Sequence, residues 1–130
     1  MGGRWNPKGV PVVYTASSLA LAVLELLVHV DIDLLPDDLL SCAIDVPKNL
    51  PIERLEISTL PSGWRNHPAP EALQDIGVNW VHRQASAVLA VSSAMIPNEY
   101  SFLLNPAHPD FSQIRWQAPT PFYLDPRLRL

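Results

Sequence analysis

The segment Leu19-Ala-Leu-Ala-Val-Leu-Glu-Leu-Leu-Val28 limits this chain more than any other, because apolar side chains line every turn of a helix and Glu25 alone carries a charge. Such uniform apolarity predicts a helix from Ser17 to about His29–Asp31, buried on most of its faces, with the hydroxyls between Thr15 and Ser18 as N-terminal caps. The run falls short of the roughly 20 residues that cross a bilayer. It reads as a core helix, and nothing before it resembles the basic leader of a secretory signal. An ionised carboxylate in apolar surroundings is costly unless it is paired or faces a cavity. Glu25 is therefore either a functional group or a side chain that surfaces on one exposed face or meets an arginine.

Upstream lies Gly2-Gly-Arg-Trp-Asn-Pro-Lys-Gly9. Paired glycines allow backbone to approach a ligand closely, which predicts a turn presenting Arg4, Trp5 and Asn6. An arginine there suits a phosphate or diphosphate, whose oxygens match its fork; the alternative is a surface arginine after a flexible terminus. Val10 to Tyr14 reads as a strand that Pro11 confines to an edge or to its first residues. Tyr14 at its end either stacks on a planar ring or sits at the rim of the core.

Fourteen prolines punctuate the chain into short elements. Ser41 to Val46 and Ile52 to Ile57 predict two strands, paired across a Pro47 to Pro51 turn. Leu60 to Pro70 reads as a loop carrying Trp64 and Arg65. Leu73, Ile76, Gly77 and Trp80 fall on one helical stripe, and Gly77 would let a neighbour pack closely. Ala87 to Val91 is wholly apolar, as expected of a central strand buried on both faces, and it delivers Ser92 and Ser93 to its end. Further strands are expected at Phe102 to Leu104, Ile114 to Trp116 and Phe122 to Leu124. Many strands with only two clear helices predict a single compact α+β domain, since a doubly wound sheet needs a helix after nearly every strand.

Several function classes are excluded by what the chain lacks. A net charge of -4, with nine lysines and arginines scattered along it, does not suit a protein that neutralises many phosphates of a nucleic acid. His29, His67, His82 and His108 have no metal-ligand spacing, so no metal site is expected. Ser93 lacks a Gly-x-Ser-x-Gly elbow, which makes it polar support rather than a hydrolase nucleophile. Cys42 is the only cysteine; it excludes an internal disulfide, points to the cytoplasm, and is expected as a small core residue.

The string from Gly2 to Gly9, Val12-Val-Tyr-Thr15, and the Leu-Ala-x-Ala-Val-Leu-Glu run ending at Glu25 resemble the start of the RES domain, the toxin of bacterial RES-Xre toxin-antitoxin pairs. Pro61-Ser-Gly-Trp64, Gly77-Val-Asn-Trp80, Ala90-Val-Ser-Ser93, Asn105-Pro-Ala-His-Pro-Asp110 and Pro121-Phe-Tyr-Leu-Asp-Pro-Arg-Leu128 resemble its later landmarks, in order. The resemblance implies a fold similar to that of ADP-ribosyltransferase toxins, spanning residues 1–130 without the segment that usually precedes the first motif. It implies an enzyme that consumes NAD+ by hydrolysis or phosphorolysis, or that transfers ADP-ribose to a protein. A catalytically silent antitoxin-binding domain is the third alternative. The family's named residues carry over to Arg4, Glu25 and Ser93, with Tyr14 as a further pocket residue. NAD+ enters as substrate, with no other cofactor and no metal. An Xre-family antitoxin is the implied partner, in a homo-oligomer or a hetero-oligomer, with no direct contact to nucleic acid or membrane.

Overall fold

The computed structural model describes residues 2–128. In chain order the elements are β1 (Val13–Ala16), α1 (Leu19–His29), β2 (Leu40–Ser41), β3 (Ile44–Asp45), β4 (Ile52–Arg54), α2 (Glu71–Arg83), β5 (Val88–Ser92), β6 (Tyr100–Leu104), β7 (Arg115–Trp116) and β8 (Thr120–Pro121). Two helices and a mixed sheet make this an α+β domain. No helix among the described residues is long and apolar enough to cross a membrane.

The main sheet has the order β1-β6-β5-β4. β6 runs antiparallel to both its neighbours, and β4 lies parallel to β5. Every residue of β5 is buried, as its unbroken apolarity requires of a central strand. Its side chains alternate between two cores. Leu89 and Val91 join Leu103, Trp80, Leu73, Val81, Trp64 and Trp5 on the side covered by α2, while Val88, with Ala87 just before the strand, joins Leu104, Leu50 and Ile114 on the other. The register Leu89 to Leu103 and Val88 to Leu104 keeps both alternations in phase.

α2 packs closely where it has no side chain. A Cβ on Gly77 would overlap the carbonyl oxygen of Trp5, so the glycine admits the N-terminal turn against the helix. α1 begins as its sequence predicts, with the Ser18 hydroxyl accepting from the Leu21 amide at 3.1 Å. Its burial departs from expectation. Only Leu21 is fully buried, and Leu19, Leu24 and Val28 stay exposed, because the helix rests chiefly on the short edge strand β1 rather than between two layers.

Other expectations are corrected. The first strand runs over Val13–Ala16 rather than Val10 to Tyr14, since Pro11 offers no amide and the preceding residues belong to the N-terminal turn. The 41–46 segment does not pair with 52–57. It splits into β2, which pairs with β8, and β3, which pairs with β7, while β4 takes a place beside β5. The last strand falls at Thr120–Pro121, not at Phe122 to Leu124. Cys42 lies in the gap between β2 and β3 and is exposed rather than core, its thiol donating to the Gln117 carbonyl at 3.1 Å.

Candidate functional site

The N-terminal glycines do form a turn, with Gly3 N–H donating to the Asn6 carbonyl at 2.8 Å. Its side chains are not all open to a ligand, contrary to what the sequence leads one to expect. Trp5 and Asn6 are buried, because α2 and β1 close over the turn. The Tyr14 hydroxyl donates to Asn6 Oδ1 and accepts from the Trp5 amide at 3.1 Å. A Cβ on Gly3 would stand 2.6 Å from that hydroxyl oxygen, so the second glycine is what lets the phenol reach beneath the turn. Asn6 Nδ2 donates to the Val10 carbonyl at 2.7 Å, and Gln74 of α2 donates to the Gly3 carbonyl at 3.0 Å. Gln74 carries no sequence signal as a site residue, and Asn6, expected to be presented to a ligand, instead braces the turn. An asparagine before proline in a glycine-rich turn is the signal that points to Asn6, since its side chain bonds nearby backbone.

This framework fixes Arg4. Its Nη1 donates to the carbonyls of Trp64 at 2.7 Å and Asn66 at 3.1 Å, which ties the arginine to the 60–70 loop. Partial burial lowers the guanidinium below its usual value, and the nearby Glu25 carboxylate and Tyr14 pull it back up. Arg4 and Glu25 therefore share a field, although the three ion pairs among the described residues lie elsewhere, at Arg83–Glu53, His108–Asp110 and Arg127–Asp125. Burial of the Tyr14 hydroxyl pushes its phenol up; hydrogen bonds to the turn and the charge of Arg4 oppose this.

Glu25 reaches its partner across the fold. Ser93, just beyond β5, donates its hydroxyl to Glu25 Oε1 at 2.9 Å. The same Ser93 oxygen accepts from the amides of Met95 at 3.1 Å and Ile96 at 3.3 Å, and its own amide donates to the Glu99 carbonyl. The serine is buried and its oxygen fully engaged, which suits a group that orients a carboxylate rather than one that attacks. Glu25 itself is half-buried, with one oxygen fixed by Ser93.

The structure thus brings all four expected residues together. Arg4 and Tyr14 meet through the N-terminal turn, Glu25 and Ser93 through a hydrogen bond, and the two pairs through the field between Arg4 and Glu25. Such an arrangement can stabilise positive charge developing near the carboxylate while holding an aromatic face and a cation alongside.

A family model described as RES domain matches residues 1–125. The chain is 40% identical over 130 residues to a protein named Prs ADP-ribosylating toxin from a Sphingobium species, covering 98% of this chain and 80% of that one. It is 38% identical to a protein named Toxin Res from Yersinia enterocolitica, over 98% of this chain and 84% of the relative. A Toxin Res from Photorhabdus laumondii shares 47% identity over 111 residues, 85% of this chain and 70% of the relative.

Proposed function

The chain belongs to the RES-domain family, and from that premise we propose that it is the toxin of a toxin-antitoxin pair that depletes NAD+ by cleaving the bond between nicotinamide and ribose. The observation that carries the reading is the Ser93 to Glu25 hydrogen bond of 2.9 Å beside Arg4 and Tyr14. In NAD+ the nicotinamide is a cationic leaving group. When its nitrogen–C1′ bond breaks, the bonding electrons depart with nicotinamide, which leaves neutral and needs no strong general acid. Positive charge then develops on the ribose, as in glycoside cleavage, and a fixed carboxylate is what stabilises it. Glu25 supplies that charge, and Ser93 keeps its oxygen aimed. Water adds its oxygen to C1′ and loses a proton to solvent in the hydrolytic version; in phosphorolysis a phosphate oxygen adds instead. Tyr14 offers an aromatic face for the nicotinamide, and Arg4 ties the N-terminal turn to the 60–70 loop beside it.

A second reading is favoured by the name of one relative, an ADP-ribosylating toxin of which this chain covers 80%. In it, a protein side chain takes the place of water at C1′. Product analysis separates the two. NAD+ incubated with the purified chain is expected to yield nicotinamide with free ADP-ribose, or with its phosphate ester when phosphate is supplied. Label recovered on protein in a lysate, with no free product, would favour the second reading; intact NAD+ in both experiments would overturn both.

The partner in this reading is an Xre-family antitoxin, and the chain acts in the cytoplasm where NAD+ is abundant. Leu24 and Val28, one turn apart on α1, are exposed, and Leu34 just beyond is 77% exposed. Exposed apolar side chains adjacent on one helix, as Leu24 and Val28 are, are of the kind that a protein partner covers.

A further inference from the structure

The four site residues leave open which group holds the two phosphates that a dinucleotide carries. Arg4 is the arginine that the sequence points to, yet its Nη1 is engaged by the carbonyls of Trp64 and Asn66. Those two bonds straddle Arg65. The Arg65 guanidinium extends to the other end of the site, where Nε donates to the Ala94 carbonyl at 2.9 Å and Nη2 lies 3.5 Å from the Met95 carbonyl. Ala94 directly follows Ser93, the residue bonded to Glu25. Arg65 is exposed, and its Nη1 carries two further donors beyond these contacts.

The same segment closes the opposite side. His67 follows Asn66, and its ring centroid lies 6.4 Å from that of His29. His29 stands four residues after Glu25, one helical turn along α1. Residues 64–67 therefore run from the Ser93 end of the site to the His29 end, with Arg4 fastening the middle from within. In a chain of net charge -4, Arg4 is bound to this stretch of the site, Arg65 belongs to it, and His67 within it faces His29. The cleavage chemistry does not require that much basic character, whereas binding a diphosphate does.

We propose that residues 64–67 form the anion-binding wall of this site, that Arg65 is the side chain gripping the diphosphate of the substrate, and that His67 adds a second donor beside it. Arg4 is then the fastener of the wall rather than the grip. This rests on the reading of the site as one for NAD+, but it concerns binding and is separable from cleavage. Arg65 is already oriented by the backbone of Ala94, so little side-chain freedom is lost when its remaining donors meet phosphate oxygens.

Calorimetric titration with ADP-ribose tests the proposal, because the ligand carries the diphosphate and has no nicotinamide bond to cleave. Adenosine serves as the ligand without phosphates. Removing a charge-assisted hydrogen bond typically costs a factor of about 10 to 100 in affinity. Arg65→Ala is expected to weaken ADP-ribose binding by about that factor, Arg65→Lys to restore part of it as a point charge without the fork, and His67→Ala to cost roughly 3- to 10-fold. Adenosine binding should be the same for all four proteins. Circular dichroism on each variant checks the fold; were Arg65→Ala to unfold, Arg65→Lys and His67→Ala would carry the test. ADP-ribose binding unchanged by these substitutions, or absent from the unsubstituted chain, would overturn the proposal. Nicotinamide release measured on the same preparations separates the two ideas: Arg65-dependent binding without release leaves the wall standing and removes the NAD+ cleavage.

Discussion

At the scale of single residues, the site depends on how two side chains are held. Tyr14 is bonded to Asn6 and to the Trp5 amide, and burial of its hydroxyl raises the phenol above its ordinary value near 10. A raised phenol means that the folded chain keeps its proton at a pH where the unfolded chain releases it. The unfolded state is thereby favoured as pH climbs through the ordinary value toward the folded one, and stability falls over that window. Urea midpoints measured from about pH 8 to 11 should decline for the unsubstituted chain. Tyr14→Phe should start lower by about 1 kcal/mol, for the lost hydrogen bonds, and lose the part of the decline that belongs to this phenol. An alkaline decline identical in both would contradict the burial assigned to Tyr14. Arg4 shows the same dependence on its surroundings. Its sequence neighbours suggest a grip for an anion, and the structure anchors it to residues some 60 positions later, an arrangement that local pattern does not encode.

At the scale of elements, Gly77 sits inside α2, where alanine would ordinarily stabilise the helix by about 1 kcal/mol. Here the added Cβ meets the Trp5 carbonyl oxygen, a backbone atom that cannot rotate away, so the turn bearing Arg4 must move. Gly77→Ala is therefore expected to lower stability by about 1–3 kcal/mol and to reduce nicotinamide release with it. A higher urea midpoint would show that helix propensity outweighs this contact. Which elements were legible in the sequence depends on how local their causes are. β5 was readable because burial on both faces leaves an unbroken apolar run, and α2 because its stripe and Gly77 recur at helical spacing. β7 falls where its residues predict, but the pairing of β2 and β3 and the place of β8 differ from expectation, because each of these strands is two residues long and exists only through a distant partner, Asp45 opposite Arg115 for example. α1 was placed correctly but its burial was not. Apolarity all round is normally a sign of enclosure, and here it accompanies a helix on the edge of the sheet whose outer side chains, Leu24 and Val28 among them, are left uncovered within one chain.

For the whole molecule, the site is a product of topology. β5 occupies the centre of the sheet and brings Ser93 to its end; α1, following the edge strand β1, brings Glu25 to meet it; and the N-terminal turn is pinned between Tyr14 and α2 so that Arg4 can fasten the 64–67 wall. The order of the motifs singles out the four residues of the candidate site, whereas the proposed wall has no such local signal, because Arg65 is tied to the site only through contacts distant in sequence, those of its neighbours with Arg4 and its own with Ala94. In the proposed function this assembly cleaves NAD+ through the carboxylate of Glu25. The decisive quantity is the rate of nicotinamide release from NAD+ by the unsubstituted chain, by Ser93→Ala and by Glu25→Gln, each shown by circular dichroism to be folded. Release is expected from the first, a smaller rate from Ser93→Ala, whose carboxylate is no longer aimed, and a loss of about 100- to 1,000-fold for Glu25→Gln, the scale seen when one fixed electrostatic group is removed. Equal rates for the unsubstituted chain and Glu25→Gln, or no nicotinamide from a folded unsubstituted chain, would contradict it.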